Sequence, residues 1–90
     1  MSTGLIIAGA YADKVRKVMA AQAKSAGMPV DEAIRAAAEL NQYLFNIVTG
    51  KGIEKGDVIR VRIEYVIDDG KIKWLYDTLS IEHWKKVEGE

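Results

Sequence analysis

From Val58 to Asp68 the chain alternates, with Ile59, Val61, Ile63, Tyr65 and Ile67 on one side and Arg60, Arg62 and Glu64 on the other. Period two is the signature of a strand with one buried face. Asp69-Gly70 follows at once, a dipeptide that tolerates the positive φ values of a type I′ turn, so a hairpin is predicted with Asp68 opposite Lys71. Counting back from the turn sets Ile67 against Ile72, Tyr65 against Trp74 and Ile63 against Tyr76 on the apolar face. The other face then pairs Val66 with Lys73, Glu64 with Leu75 and Arg62 with Asp77. A further strand is predicted over Leu79–Val87 after a tight connection at Asp77-Thr78. With Leu79 and Ile81 facing the core, parity sets Glu82, Trp84 and Lys86 on the opposite face, beside Arg60, Arg62 and Lys73. A bulge in between would reverse that parity.

The first half of the chain has the helical period. Ala10 to Ala26 places Val15, Val18, Met19, Gln22 and Ala26 on one face and Asp13, Lys17, Ala20 and Lys24 on the other, and Gly27 is a stop signal. Pro29 suits the first turn of a second helix, and Asp31 and Glu32 suit the positive end of its dipole. That helix is predicted over Val30–Val48, with Gly50 past its end. Its polar residues Glu32, Arg35, Glu39, Gln42 and Asn46 make one narrow stripe. Apolar residues, among them Ile34, Leu44 and Phe45, cover the rest of the circumference, more than one sheet requires. The surplus predicts contact with a second subunit; the other reading is a central helix buried within one monomer. The apolar run Thr3–Ala8 is read as a short buried strand.

These elements predict an α+β fold in the order β-α-α-β-β-β. An antiparallel sheet of three to four strands carries two helices packed on one face, as a single domain over residues 1–90. The sequence has neither internal repeat nor low-complexity linker.

Composition narrows the chemistry. With 90 residues, no Cys and one His, the chain has no thiolate nucleophile, disulfide framework or His-rich metal site, and no cofactor is expected. The opening uncharged stretch Met1–Ala12 is too short for a bilayer span and lacks the basic start of a signal peptide, so a cytoplasmic protein with no membrane partner is expected. Thirteen basic residues balance thirteen acidic ones, which argues against a generic polyanion binder. Residues 11–25 depart from that balance, with Asp13 against Lys14, Arg16, Lys17 and Lys24. No P-loop or dinucleotide fingerprint surrounds Gly50-Lys51-Gly52 or Lys55-Gly56, and Ser2, Ser25 and Ser80 lack an evident base. Neither an enzymatic activity nor a small-molecule substrate is therefore expected.

Three strings carry a family resemblance: the opening Thr3-Gly4-Leu5-Ile6-Ile7-Ala8-Gly9-Ala10-Tyr11-Ala12-Asp13-Lys14-Val15-Arg16, the Ala-rich Ala33-Ile34-Arg35-Ala36-Ala37-Ala38-Glu39-Leu40-Asn41, and Lys55-Gly56-Asp57-Val58. Together the sequence resembles the archaeal ThermoDBP-related single-stranded DNA-binding family over almost its whole length. The resemblance implies a small α+β, non-OB, nucleic-acid-binding domain from hyperthermophilic archaea that acts as a homo-oligomer. No heptad extension of the kind expected to dimerise full ThermoDBP proteins is present, so the likeness is to the short, single-domain group. Assembly, as a dimer or tetramer, would then come from the domain itself.

Holding a single strand takes cations along the phosphates and flat side chains under the bases; one stacked base contributes ~1–3 kcal/mol whatever its identity. Arg60, Arg62 and Lys73 are the candidate phosphate contacts on the sheet, with Trp84 stacking a base. Lys14, Arg16 and Lys17 are candidates on the first helix, with Tyr11 at its beginning. Trp74 is a second candidate ring, although its place opposite Tyr65 on the apolar face is also that of a core residue. The sheet cations have an equally ordinary reading as a solvated face paired with Glu64 and Asp77, and the helix cations as the wet side of an amphipathic helix. His83, alone of its kind, reads as structural or exposed. The expected function is sequence-tolerant single-stranded DNA binding, with RNA as a further ligand; the alternative is an oligomeric interaction or chromatin-architectural module without single-strand binding.

Overall fold

A computed structural model of the chain describes residues 1–86. Strand β1 (Ile6–Ile7) leads through a 3₁₀ turn at Ala8–Ala10 into helix α1 (Tyr11–Ala26), then helix α2 (Val30–Gly50) and the two long strands β2 (Val58–Asp68) and β3 (Lys71–Trp84). The sheet is antiparallel in the order β1-β2-β3. This is the α+β architecture the sequence predicts, with one difference in how the last segments join. Residues on either side of Asp77-Thr78 do not fold back as separate strands but run on as one bulged ribbon, so the order β-α-α-β-β-β holds when its two arms are counted apart. The predicted end of the last strand, Val87, lies outside the described residues.

The hairpin register is as counted from the turn: Asp68 with Lys71, Tyr65 with Trp74 and Glu64 with Leu75. Asp69 and Gly70 take φ values of 54° and 75°, as a type I′ turn requires. Beyond Leu75 the register jumps. Arg62 pairs with Ser80 where a plain hairpin would set it against Asp77, so β3 carries three extra residues. Thr78 stabilises the irregularity, because its hydroxyl accepts the Glu64 N–H at 2.9 Å and donates to the Leu75 carbonyl at 2.6 Å. An odd insertion switches the parity that faces inward, from Ile72 and Trp74 before the bulge to Ile81 after it.

The opening segment is also bulged. Thr3 donates its backbone N–H to the Val61 carbonyl at 3.0 Å, and its hydroxyl stands in for a backbone acceptor toward the Val61 N–H, also at 3.0 Å. Gly4, at φ +64°, then shifts the chain by one residue before Ile6 pairs with Ile59. Regular strand is therefore confined to Ile6–Ile7 within the expected Thr3–Ala8 run.

Both helices close on glycine in the left-handed conformation. At the end of α1 the Met28 N–H reaches the Ala23 carbonyl across Gly27, and at the end of α2 the Ile53 N–H reaches the Val48 carbonyl across Gly52. The stop of α2 is thus set by Gly52, and Gly50 still lies within the helix. The two helices pack on one sheet face over a core that includes Val15, Met19, Leu40, Leu44, Ile59 and Val61. At the exposed edge of β3, α2 stands in for a missing strand. Glu32 Oε2 accepts the Ile72 N–H at 2.6 Å, and Arg35 donates to the Ile72 carbonyl at 2.9 Å. Unpaired edge groups are thereby blunted where the ribbon would otherwise template another strand.

Candidate functional site

The face of the sheet turned away from the helices is where the alternation of β2 places its charged residues. Across the three strands, Ile7 pairs with Val58 and Val58 with Trp84, so these three side chains form one apolar row. Trp84 is 47% exposed and Ile7 58%, while Val58 is half-buried between them. An exposed indole flanked by aliphatic side chains is a flat apolar platform. The next row pairs Arg60 with Glu82, and the one after pairs Arg62 with Ser80. Beside Arg62, at the bulge, a depression of about 370 Å³ is lined by Met1, Arg62, Ile63, Glu64, Thr78 and Ser80.

The charges on this face are paired. Arg60 donates to both oxygens of Glu82, at 2.6 and 2.8 Å, and Arg62 lies 3.8 Å from the same carboxylate. Those hydrogen bonds hold the Glu82 carboxyl below its ordinary pKa and the Arg60 guanidinium above its own. Lys73 donates to Asp68 at 2.6 Å. The partners expected from sequence, Glu64 and Asp77, are not the ones used, because the three-residue shift brings Glu82 opposite Arg60.

Trp84 therefore lies beside Arg60 and Arg62 as expected, but Lys73 does not join them. Lys73 pairs with Val66, eight residues along β2 from Val58, roughly 26 Å toward the hairpin tip at the usual strand rise. Trp74 is a correction. It is 6% exposed, its indole N–H donates to the Ala36 carbonyl at 2.9 Å, and the Tyr65 ring forms a T-shaped pair with it at 5.3 Å, so it belongs to the core and presents too little surface to stack a base.

The helix candidates form a separate group on α1, in the helical layer. Lys17 and Arg16 both lean toward Asp13, at 3.0 and 3.7 Å, and hold its carboxyl below the usual range. Lys14 is exposed and has no ion-pair partner among the described residues. Tyr11 is half-buried and lines a cleft of about 330 Å³ with Phe45, Val48 and Ile53; burial raises its phenol pKa.

Sequence reasoning missed Ile7, Val58 and Asp57. Ile7 and Val58 were legible as outward positions, since they are adjacent to the inward Ile6 and Ile59, but only pairing across strands shows that they flank Trp84. Asp57 accepts hydrogen bonds from the Glu54 N–H at 3.0 Å, His83 Nε2 at 2.8 Å and the Lys86 N–H at 3.1 Å. These donors, led by the Glu54 N–H, hold its carboxyl well below the carboxylate range although the residue is buried. His83 is thus structural, as one of the two sequence readings had it.

Among the described residues no group of three or more acidic, His or Cys side chains could hold a metal ion, and no helix is long and apolar enough to cross a membrane.

Comparison with known proteins adds the relatives of this arrangement. The family model described as ThermoDBP-related, archaea matches residues 1–73. The crystal structure of pfuThermo-DBP-RP1 (crystal form II) is similar with a TM-score of 0.88 and 39% identity, over 93% of this chain and 56% of that one. The crystal structure of apeThermo-DBP-RP2 bound to ssDNA dT10 is similar with a TM-score of 0.87 and 40% identity, over 96% of this chain and 42% of that one. The chain thus spans about half the length of these relatives. No curated protein matches it.

Proposed function

The chain belongs to the ThermoDBP-related family of archaea, and from that premise we propose that it is a single-stranded DNA-binding protein that uses the outer face of its sheet. The observation that carries the reading is the exposed row Ile7–Val58–Trp84 beside Arg60 and Arg62. A base laid on the Trp84 ring gains stacking energy of ~1–3 kcal/mol without regard to sequence. The two arginines lie where the adjoining phosphates would run. Their pairing with Glu82 is open to solvent along the sheet face, so a phosphate can compete with that carboxylate for both guanidinium groups. The crystallised relative bound to dT10 supports the same ligand class.

In this reading affinity comes mainly from bases and only secondarily from charge, as suits a chain with no net charge. Stacking makes no use of the sugar, so single-stranded RNA is a further ligand. Lys73 contributes only to a strand long enough to reach the hairpin tip. Lys14, Arg16 and Lys17 lie on α1 in the helical layer and Tyr11 lines a cleft with Gly9 and Lys55, so they meet a strand that runs off the sheet face or one held by a neighbouring copy. Exposed Ile34 and Phe45 on the helical layer support self-association, as a dimer or tetramer. We assign no catalytic chemistry to the chain.

The carboxylate pairing of Arg60, Arg62 and Lys73 favours a second reading, an oligomeric interaction or chromatin-architectural module that does not bind single strands. Titration with matched single-stranded and duplex oligonucleotides, alongside mass measurement of the free and bound assembly, separates the two. A preference for the single strand supports the first reading. Duplex preference, or no shift at low salt, supports the second.

A further inference from the structure

We propose that Asp57 is the positioning residue of the Trp84 platform, a carboxylate that fixes the backbone on both sides of the ring so that the indole meets a base already ordered. The inference rests on the reading of Trp84 as a base-stacking side chain.

Val58 is the last residue of β2 to pair with β3, and its partner is Trp84, so the ladder ends at the platform itself. Strand ends fray unless something beyond the ladder ties them down. Asp57, the residue before Val58, takes over that task. Its side chain accepts from the His83 ring at 2.8 Å and from the Lys86 backbone N–H at 3.1 Å, one residue before and two residues after Trp84. The Lys85 ammonium is 3.5 Å from the same carboxylate. On its own side of the ladder the carboxylate accepts the Glu54 N–H at 3.0 Å, and the Asp57 N–H returns to the Glu54 carbonyl at 3.0 Å, closing the preceding loop. One group thus joins the loop before β2 to both flanks of Trp84.

A carboxylate at 1% exposure is a costly way to gain stability, since well-packed apolar side chains often serve a buried site as well. What it supplies that an apolar residue cannot is a single geometry, because its two oxygens accept from several directions at once. An ordered ring loses less conformational freedom when a base settles on it, and that saving appears as affinity.

Labelling the two tryptophans with 5-fluorotryptophan gives two ¹⁹F resonances, assigned by Trp84→Phe, and reports on the platform directly. Asp57→Asn is expected to broaden the Trp84 resonance or move it toward its solvent-exposed position while the buried Trp74 resonance stays in place. Affinity for oligo-dT is expected to fall about ten-fold, within the range of one lost stacking interaction. In a Trp84→Ala background the same substitution is expected to change affinity little, the mark of coupling through that ring. An unmoved Trp84 resonance, or an equal loss of affinity with and without Trp84, overturns the inference. His83→Ala removes one donor and keeps the carboxylate, so it provides the same test at smaller amplitude if Asp57→Asn does not fold. Should Trp84→Ala itself leave affinity unchanged, the stacking reading fails, while the ¹⁹F resonance still decides whether Asp57 orders the ring.

Discussion

Arg60 gives both arms of its guanidinium to Glu82, Nε to one oxygen at 2.6 Å and Nη2 to the other at 2.8 Å. Arg62 lies 3.8 Å from the same carboxylate, so one acid offsets two cations next to Trp84. In the proposed function Glu82 competes with phosphate for both. Glu82→Gln is expected to tighten oligo-dT binding several-fold at low salt. It should also steepen the dependence of log affinity on log salt by ~0.7 for each additional phosphate that the arginines neutralise. Titrations at three or more salt concentrations read both quantities. Unchanged or weaker binding means that the arginines do not meet the ligand.

The clasp between α2 and the edge of β3 predicts an acid response. Glu32 has a pKa lowered from 4.5 to about 2, first by the hydrogen bond from Arg35, against the opposing effect of burial, and then by the Ile72 N–H. A folded-state pKa below the unfolded one adds stability that is fully present above about pH 5 and is lost as pH falls toward 2. Asp57 acts in the same direction at still lower pH. Urea denaturation from pH 6 to pH 2 should therefore show falling stability, and Glu32→Gln should flatten the upper part of that fall. A Glu32→Gln curve parallel to the parent would show that the clasp does not depend on the charge.

Core truncation separates folding from binding. Leu40, on α2, is fully buried in the core between the helices and the sheet, and Leu40→Ala is expected to cost about 2–5 kcal/mol, measured by denaturant titration. Trp74→Phe removes the hydrogen bond to the Ala36 carbonyl, which keeps its helical partner within α2, so the lost bond costs about 0.5–1.5 kcal/mol, yet it should leave oligo-dT affinity nearly unchanged. A large loss of affinity in folded Trp74→Phe would return Trp74 to the ligand site.

Assembly depends, in the proposed reading, on the exposed apolar side chains of α2. Phe45→Asp and Ile34→Asp are expected to lower the oligomeric mass in sedimentation while leaving the circular dichroism spectrum intact. Leu44, which the sequence pattern grouped with Phe45, is fully buried, so Leu44→Asp tests the fold and not the interface. Unaltered mass in both surface variants would place self-association elsewhere.

Much of this molecule could be read from its period. Helical spacing placed both helices to within two residues and Gly27 ended α1 as read, whereas α2 runs through Gly50 to the stop at Gly52; Asp69-Gly70 set the hairpin register as far as Leu75, because turn and cap chemistry is local. Thr78 broke the reading of what lies beyond. Its hydroxyl serves a ladder N–H, and nothing in the local sequence distinguishes that use from an ordinary turn. The consequence was non-local. A shift of three residues moved Ser80 opposite Arg62 and Glu82 opposite Arg60, which changed the ion-pair partners of the sheet cations while leaving Trp84 on the expected face. Tyr65 facing Trp74 was correctly counted, but only packing against Ala36 shows that the indole is sealed inside. The Asp57–His83 contact joins residues 26 apart, a distance at which neither periodicity nor turn chemistry speaks.

In the proposed function bases rest on Trp84. With Trp74→Phe leaving Trp84 as the sole indole, fluorescence titration with oligo-dT should show quenching that saturates with binding, a preference for the single strand over the duplex, and an affinity weaker by about five-fold or more in Trp84→Ala, as stacking energies require. Binding that leaves Trp84 emission unchanged, with Trp84→Ala binding as tightly as its parent, would contradict it.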